Sequence, residues 1–143
     1  MSKIAFTQHL VNLKSFAARG SGEAAVVSAM LDNIRVMEFT QDTEGDTVAN
    51  VIRVSAQITD MDGTPIAAVT NVLATSVPES GAGTMTVGAV GAVKAGTGTV
   101  EAWFQTDANG ALDIDLLNAA VEDNLLSLQM DDGTVEQLVL TFA

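Results

Sequence analysis

From residue 51 onward the chain has a hydrophobic period of two, and this alternation constrains the fold more than any other feature. Apolar and polar residues alternate over residues 51–59, 100–105, 112–116, 126–130 and 135–142. Successive side chains of a strand point to opposite faces, so each segment has one apolar face and one polar face. We expect half-buried strands there, a further strand at 66–75, and a strand-like segment at 33–39.

Clusters of Asp and Gly separate these segments. They lie at residues 60–63 (DMDG), 107–110 (DANG) and 131–133 (DDG), and all are typical of tight turns. Short strands between such turns, without intervening helices, predict an all-β, antiparallel Ig-like β-sandwich. The glycine-rich stretch 80–99 is expected to be a loop or thin irregular edge that projects into solvent, because glycine weakens a strand interior.

The first forty residues differ from the rest in pattern and in charge. Apolar residues recur there at helical spacing, at Phe6, Leu10, Leu13 and Ala17, and residues 23–31 are compatible with a second short helix. Residues 1–40 have a net charge of +1, whereas residues 41–143 have −13. The chain is therefore divided into a partly helical N-terminal arm, residues 1–45, and a sandwich domain, residues 46–143.

The overall charge excludes several classes of function. The chain has 18 acidic and 6 basic residues, a formal net charge of −12. Nucleic acid and anionic membranes bind clustered Lys and Arg, so neither is an expected partner. Without cysteine, the chain has no disulfide, zinc–thiolate site or thiol nucleophile. We see no transmembrane span or secretory signal peptide, and expect synthesis in the cytoplasm.

Three segments carry a family resemblance. Residues 54–65 (VSAQITDMDGTP) and 106–116 (TDANGALDIDL) resemble the opening strand and turn, and the T-D-x-x-G signature, of bacterial immunoglobulin-like domains of the invasin and intimin type. The closing hairpin from Leu125 to Phe142 is similar to the last two strands of that family. The resemblance implies a module found in secreted adhesin arrays and, as a single copy, on virion proteins of tailed bacteriophages. A short chain without an export signal favours the virion setting.

Candidate catalytic and metal-binding residues are few. The single histidine, His9, lies in the arm, far in sequence from the strand-turn-helix elbow that serine chemistry needs. Each pair of neighbouring aspartates lies in a turn or on a polar strand face, where solubility and turn hydrogen bonds explain it. Weak calcium candidates at one end of the sandwich are Asp60, Asp62, Asp107 and Asp131, although their spacing matches no calcium loop. We expect no catalytic residue, no resident metal and no cofactor.

Two features indicate interaction surfaces. Trp103 and Phe104 are adjacent on a predicted strand, so they point to opposite faces. The alternation places Phe104 in the core and Trp103 outside, either as an interface anchor or covered by the glycine-rich stretch. The arm has more apolar surface than a free segment leaves in water, and its candidate interface residues are Phe6, Leu10, Leu13, Phe16, Val26, Val27, Met30 and Leu31.

The sequence therefore predicts a non-enzymatic virion protein, a decoration or cement subunit that docks on the head lattice through the arm and a sandwich edge. The expected partners are a major capsid or tail lattice protein and further copies of the chain, with a trimer favoured. One alternative is an ornament of the tail or of the head–tail junction. Others are an adhesion or carbohydrate-binding module that uses Trp103, and a calcium-dependent accessory domain of an enzyme.

Overall fold

The alternating segments form antiparallel strands in the computed structural model, which describes residues 34–46, 48–80 and 83–143. The strands are β1 (Val36–Gln41), β2 (Val51–Thr59), β3 (Asn71–Pro78), β4 (Thr84–Val87), β5 (Ala92–Ala95), β6 (Glu101–Gln105), β7 (Ala111–Leu117), β8 (Asp123–Met130) and β9 (Val135–Thr141). The predicted helices of the arm fall in residues 1–33, outside the described residues. In the described part no helix is long and apolar enough to cross a membrane.

Two antiparallel sheets pack face to face, which confirms the predicted all-β architecture. The first has four strands in the order β1-β2-β7-β4, and the second has five in the order β5-β6-β3-β8-β9. The inward side chains of both sheets form one core, whose largest fully buried members include Phe104, Phe142, Met37, Ile114 and Leu126. The core thus consists of the apolar half of the period-two pattern.

The first sheet includes β1, which precedes the predicted domain boundary at residue 46. β1 pairs with β2 over its whole length, from Val36 opposite Thr59 to Gln41 opposite Val54. Met37 is buried in the shared core. The strand-like segment predicted at 33–39 is therefore present, although it begins three residues later and ends two residues later, and it is an integral edge of the sandwich.

The strand predicted at 66–75 begins five residues later, at Asn71. In the preceding segment the amide of Ile66 donates to the carbonyl of Ile58 on β2, and the residues that follow bond to Thr106. Thr106 Oγ1 accepts from the amide of Thr70 at 2.9 Å and donates to the carbonyl of Ala68 at 3.0 Å. The threonine hydroxyl of the T-D-x-x-G signature therefore holds residues 68–70, which lead into β3.

Of the two alternatives predicted for the glycine-rich stretch, its described residues, 83–99, form the thin irregular edge, and the prediction that they project into solvent is wrong. The stretch contains β4 and β5, two short edge strands, one in each sheet. Met85 of β4 is fully buried. At Gly88 an added Cβ would lie 2.7 Å from the Cβ of Asp113 and 2.9 Å from Nε of Arg53. Glycine permits this close approach, which closes one side of the sandwich.

One end of the sandwich is built from three turns with the same hydrogen-bond pattern. They span residues 60–64, 107–111 and 130–134. In each turn the amide of the first residue donates to the carbonyl of the fifth, and the amide of the fourth residue donates to the carbonyl of the first. The strand registers place all three at the end where β2, β6 and β8 finish. Arg35 ties β1 to this end, since its guanidinium lies 3.6 Å from the carboxylate of Asp131.

Candidate interaction surface

The outer side of the five-stranded sheet has ten adjacent side chains without a charge, and we name these ten the uncharged face. Six are apolar and four are neutral polar: Leu73, Thr75 and Val77 from β3, Trp103 from β6, Leu125, Ser127 and Gln129 from β8, and Val135, Gln137 and Val139 from β9. The charged residues next to it on the same sheet are Glu101, Asp123 and, on the edge strand β5, Lys94. A face of this kind is unusual on a chain with a formal net charge of −12.

Trp103 is the largest side chain of the uncharged face. It is 45% exposed, whereas Phe104 is completely buried, as the alternation predicts. Leu73 lies directly opposite it on β3, and Ala95 lies opposite it on β5. Since its two cross-strand partners leave nearly half of the indole in water, Trp103 is accessible to a partner.

The rest of the uncharged face is ordered in rows across the strands. Val77, Leu125 and Val139 are direct cross-strand neighbours and form an apolar row that is mainly exposed. The next row is neutral and polar, and in it Gln137 Nε2 donates to Ser127 Oγ at 3.0 Å. Burying these rows removes no charge from water, so a partner can cover them at small desolvation cost.

The outer side of the four-stranded sheet is, in contrast, charged. Arg53 of β2 donates to both carboxylate oxygens of Asp115 on β7, at 2.6 and 2.8 Å. This hydrogen bond is the main cause that raises the pKa of Arg53 above its ordinary value, and the nearby Asp113 and Asp42 add to it. Because covering such a face desolvates several charges, it is the less favourable docking surface.

An open groove of about 340 Å³ lies on this charged side. It is lined by Glu38 and Thr40 from β1, Ser55 and Gln57 from β2, and Asp113 from β7, among others. These groups can accept or donate hydrogen bonds to a polar molecule. The lining includes no histidine or basic side chain.

The four weak calcium candidates lie in the three turns at one end of the sandwich, but they do not form a cluster. Asp60 Oδ1 accepts from the amides of Asp62 and Thr64, both at 2.9 Å. Asp107 Oδ1 accepts from the amides of Asn109 and Ala111 at 2.8 and 2.9 Å. The backbone bond to Ala111 is the main cause that lowers the pKa of Asp107. Among the described residues no three acidic or histidine side chains are grouped to hold a metal.

A polar network that is buried at Asn118 and Asn124 and exposed at Ser80 closes the opposite end. Asn118 donates to Glu122 at 2.5 Å and to Asn124 at 3.0 Å, and Ser80 donates to Glu122 through both its amide and its hydroxyl at 2.8 Å. These bonds, first that from Asn118 and then those from Ser80, lower the pKa of Glu122 below its ordinary value of 4.5. Every oxygen of this carboxylate therefore has a structural partner, and the network joins the β3–β4 connection to the β7–β8 connection.

Of the predicted interface residues, Trp103 alone lies in the described part. Phe6, Leu10, Leu13, Phe16, Val26, Val27, Met30 and Leu31 fall in residues 1–33, outside it. Sequence reasoning missed the other members of the uncharged face. The available signal was the doubling of apolar residues, as in Leu125-Leu126 and Val139-Leu140, which gives a strand two apolar faces.

No protein-family model and no curated protein matches the sequence. Solved structures similar to the chain include a lipoprotein from Bacteroides thetaiotaomicron, 14% identical over 76% of this chain and 78% of that chain, with a TM-score of 0.48. A beta-glycosidase from Bacteroides vulgatus is 12% identical over 74% of this chain and 14% of that chain, with a TM-score of 0.44. The GAE domain of GGA2p from Saccharomyces cerevisiae is 11% identical over 76% and 88%, with a TM-score of 0.34. These similarities assign neither a family nor a function to the chain.

Proposed function

We propose that the chain is a non-enzymatic structural protein of Ig-like fold that docks on a larger protein lattice through the uncharged face. On the resemblance to bacterial Ig-like domains, the lattice is the head or tail of a tailed bacteriophage, with a capsid decoration subunit as the first choice. The observation that carries the docking role is a charge-free, largely apolar sheet face on a strongly acidic chain.

The strand connectivity supports the Ig-like part of the proposal. An immunoglobulin sandwich of the constant type has the strand orders A-B-E-D and C-F-G in its two sheets. Here β1, β2, β7 and β4 correspond to the first set, and β3, β8 and β9 to the second, in the matching chain order. β5 and β6 are an insertion between the fourth and fifth of these strands, and they extend the second sheet beyond β3. The insertion carries Trp103.

The lattice role predicts that the chain binds assembled particles through Trp103. The full-length chain and its Trp103→Lys variant are incubated with tailed-phage particles from the strain that encodes it, and bound protein is measured after density-gradient banding. We expect the variant to occupy the particles at least about tenfold less, because a lysine at an interface anchor leaves a charge desolvated. Thr86→Lys places the same charge on an exposed position of the four-stranded sheet, and should bind as the unaltered chain does.

Two outcomes would reject parts of this proposal. Equal occupancy by both lysine variants would mean that docking uses another surface, and would leave the uncharged face without a role in it. If neither the unaltered chain nor either variant co-bands, and mass spectrometry finds the chain in no purified particle, the virion role itself is wrong.

A carbohydrate-binding module is the second candidate, favoured by the exposed indole of Trp103 on a sheet face. Sugars stack on such rings, and the neighbouring neutral polar row can bond hydroxyl groups. Calorimetric titration with oligosaccharides separates the two hypotheses. A glycan binder retains its heat of binding in the Thr86→Lys variant and loses it with Trp103→Ala, whereas a lattice protein shows none in either case.

A further inference from the structure

β9 ends the five-stranded sheet, and the backbone groups on its outer edge have no strand beside them in the described structure. Its pairing with β8 runs from Asp123 opposite Thr141 to Gln129 opposite Val135. The amide of Met130 bonds to the carbonyl of Thr134, and the amide of Phe142 bonds to that of Glu122. Since bonded pairs alternate along an antiparallel ladder, the even-numbered residues of β9 bond to β8. The N–H and C=O groups of Val135, Gln137, Val139 and Thr141 therefore point to the open edge.

The two edges of this sheet differ in how they are protected against pairing. At the far edge, β5 has four residues, a register shift between Val93 and Ala95, and a lysine at that irregularity, Lys94. Short length, a bulge and a lysine are the usual devices that prevent a strand from adding another. β9 has seven residues with the sequence VEQLVLT, without proline, lysine or register shift. The charged side chain of β9, Glu136, lies on the face that also carries Leu138 and Leu140, and an edge of this length without the other devices is a template for a further strand.

We propose that the edge of β9 is a self-association site, at which the β9 strands of two copies pair antiparallel about a two-fold axis. The partner is thus a second copy of this chain, and the inference goes beyond the lattice role. The sequence of β9 is self-complementary in one register, with Gln137 on the axis. That register sets Val135 opposite Val139 of the second copy and Glu136 opposite Leu138, so no two carboxylates face each other. The backbone groups of Val135, Gln137 and Val139 then bond in pairs across the axis.

The pairing joins the two uncharged faces into one surface of ten strands. Val135 and Val139, about half exposed in the single copy, become neighbours of the same residues across the axis. The formal net charge of −12 on each copy opposes the association over longer distances. Salt screens this repulsion without weakening the backbone bonds, so we expect the dimer to tighten as ionic strength rises.

Light scattering after size exclusion tests the proposal on the full chain, between about 10 µM and 1 mM. We expect a mass that rises from one copy to two with concentration, and that does so at lower concentration in high salt. Gln137→Pro removes an amide on the open edge, where proline is tolerated, together with the exposed side-chain bond to Ser127, and should give a folded monomer. Gln137→Lys is a second disrupting variant in case the proline variant unfolds. Gln129→Lys makes the same charge change one strand inward, on β8, and should leave the dimer intact.

Amide hydrogen exchange supplies an independent measurement. The amides of Val135, Gln137 and Val139 should exchange about tenfold or more slowly at high than at low concentration, because only the dimer bonds them. The amide of Lys94 on the β5 edge should not change. A monomer at every concentration, a trimer, or a dimer that persists in both Gln137 variants would each overturn the inference. None of these results decides whether the chain binds a lattice through Trp103, which the particle assay measures separately.

Discussion

Replacing Gly110 by alanine tests how the T-D-x-x-G signature acts. Gly110 has a φ of +78°, and an added Cβ would approach the carbonyl oxygen of Ile66 to less than the 3.0 Å that real Cβ atoms respect. The backbone strain costs ~1–2 kcal/mol, partly offset by ~0.4–1 kcal/mol from a less flexible unfolded chain. Displacing the backbone at Ile66 to make room for the new methyl group adds ~1–3 kcal/mol to this cost. We therefore expect Gly110→Ala to lower the free energy of unfolding by ~2–4 kcal/mol.

Gly133 offers a matched control in a turn of the same hydrogen-bond pattern. Its φ is +87°, and an added Cβ meets nothing within 4 Å. Gly133→Ala therefore has the strain without the overlap, and should cost only ~1 kcal/mol. Urea unfolding followed by circular dichroism measures both variants. At a slope of ~2 kcal/mol per molar, the two midpoints should differ by ~0.5–1.5 M. Equal midpoints would refute the packing of the 107–111 turn against Ile66, and with it our account of why the signature needs glycine.

Three further predictions concern charge. The lowered pKa of Glu122 means that its contribution to stability is complete above pH 4.5 and is lost as the pH falls through the folded value. Glu122→Gln should therefore flatten the acid side of a plot of melting temperature against pH, and an unchanged acid side would contradict this. A double-mutant cycle of Arg53→Met and Asp115→Asn in urea should give a coupling of ~1–2 kcal/mol, since the pair is bidentate but its side chains are 26% and 19% exposed; zero coupling would contradict it. EDTA should leave the melting temperature unchanged, because Asp60 and Asp107 already bond to turn amides; a fall that calcium reverses would show a metal site.

The parts of the fold that sequence predicts are those fixed by local pattern. The alternation of β2 and the Asp-Gly turns specify strands and their ends. The pair Trp103 and Phe104 specifies which face of β6 is buried, because adjacent residues of one strand cannot share a face. The same rule fails for β8 and β9, where adjacent apolar residues such as Leu125 and Leu126 occupy both faces. Alternation assigns one of them to the core and leaves the outer one unexplained.

Long-range pairing was harder to predict. Residues 83–99 contain too few large side chains to mark strands, and β4 and β5 exist because they complete two different sheets. The pairing of β4 with β7, the burial of Met85 and the close approach at Gly88 hold that segment to the body, and a run of apolar residues does not. Likewise, the late start of β3 depends on a hydroxyl 36 residues further along the chain, at Thr106. The contacts at Gly88 and Thr106 produce no periodic pattern in the sequence.

The two outer faces of the sandwich differ in the desolvation cost of burial, and this difference determines which face a partner would cover. A partner on the four-stranded sheet would desolvate the pair of Arg53 and Asp115 together with Asp113, for which it would have to supply compensating charges. A partner on the five-stranded sheet covers Trp103 and the valines and removes no charge from water. Pairing at β9 doubles the surface of the five-stranded sheet and leaves that of the four-stranded sheet unchanged. Two paired copies would therefore present two indoles on one side, with the carboxylates of the four-stranded sheets on the other side. A lattice with its own two-fold axes would then bind both Trp103 side chains at once. Because the two copies are linked, the second contact would raise the affinity without any new interaction within either copy.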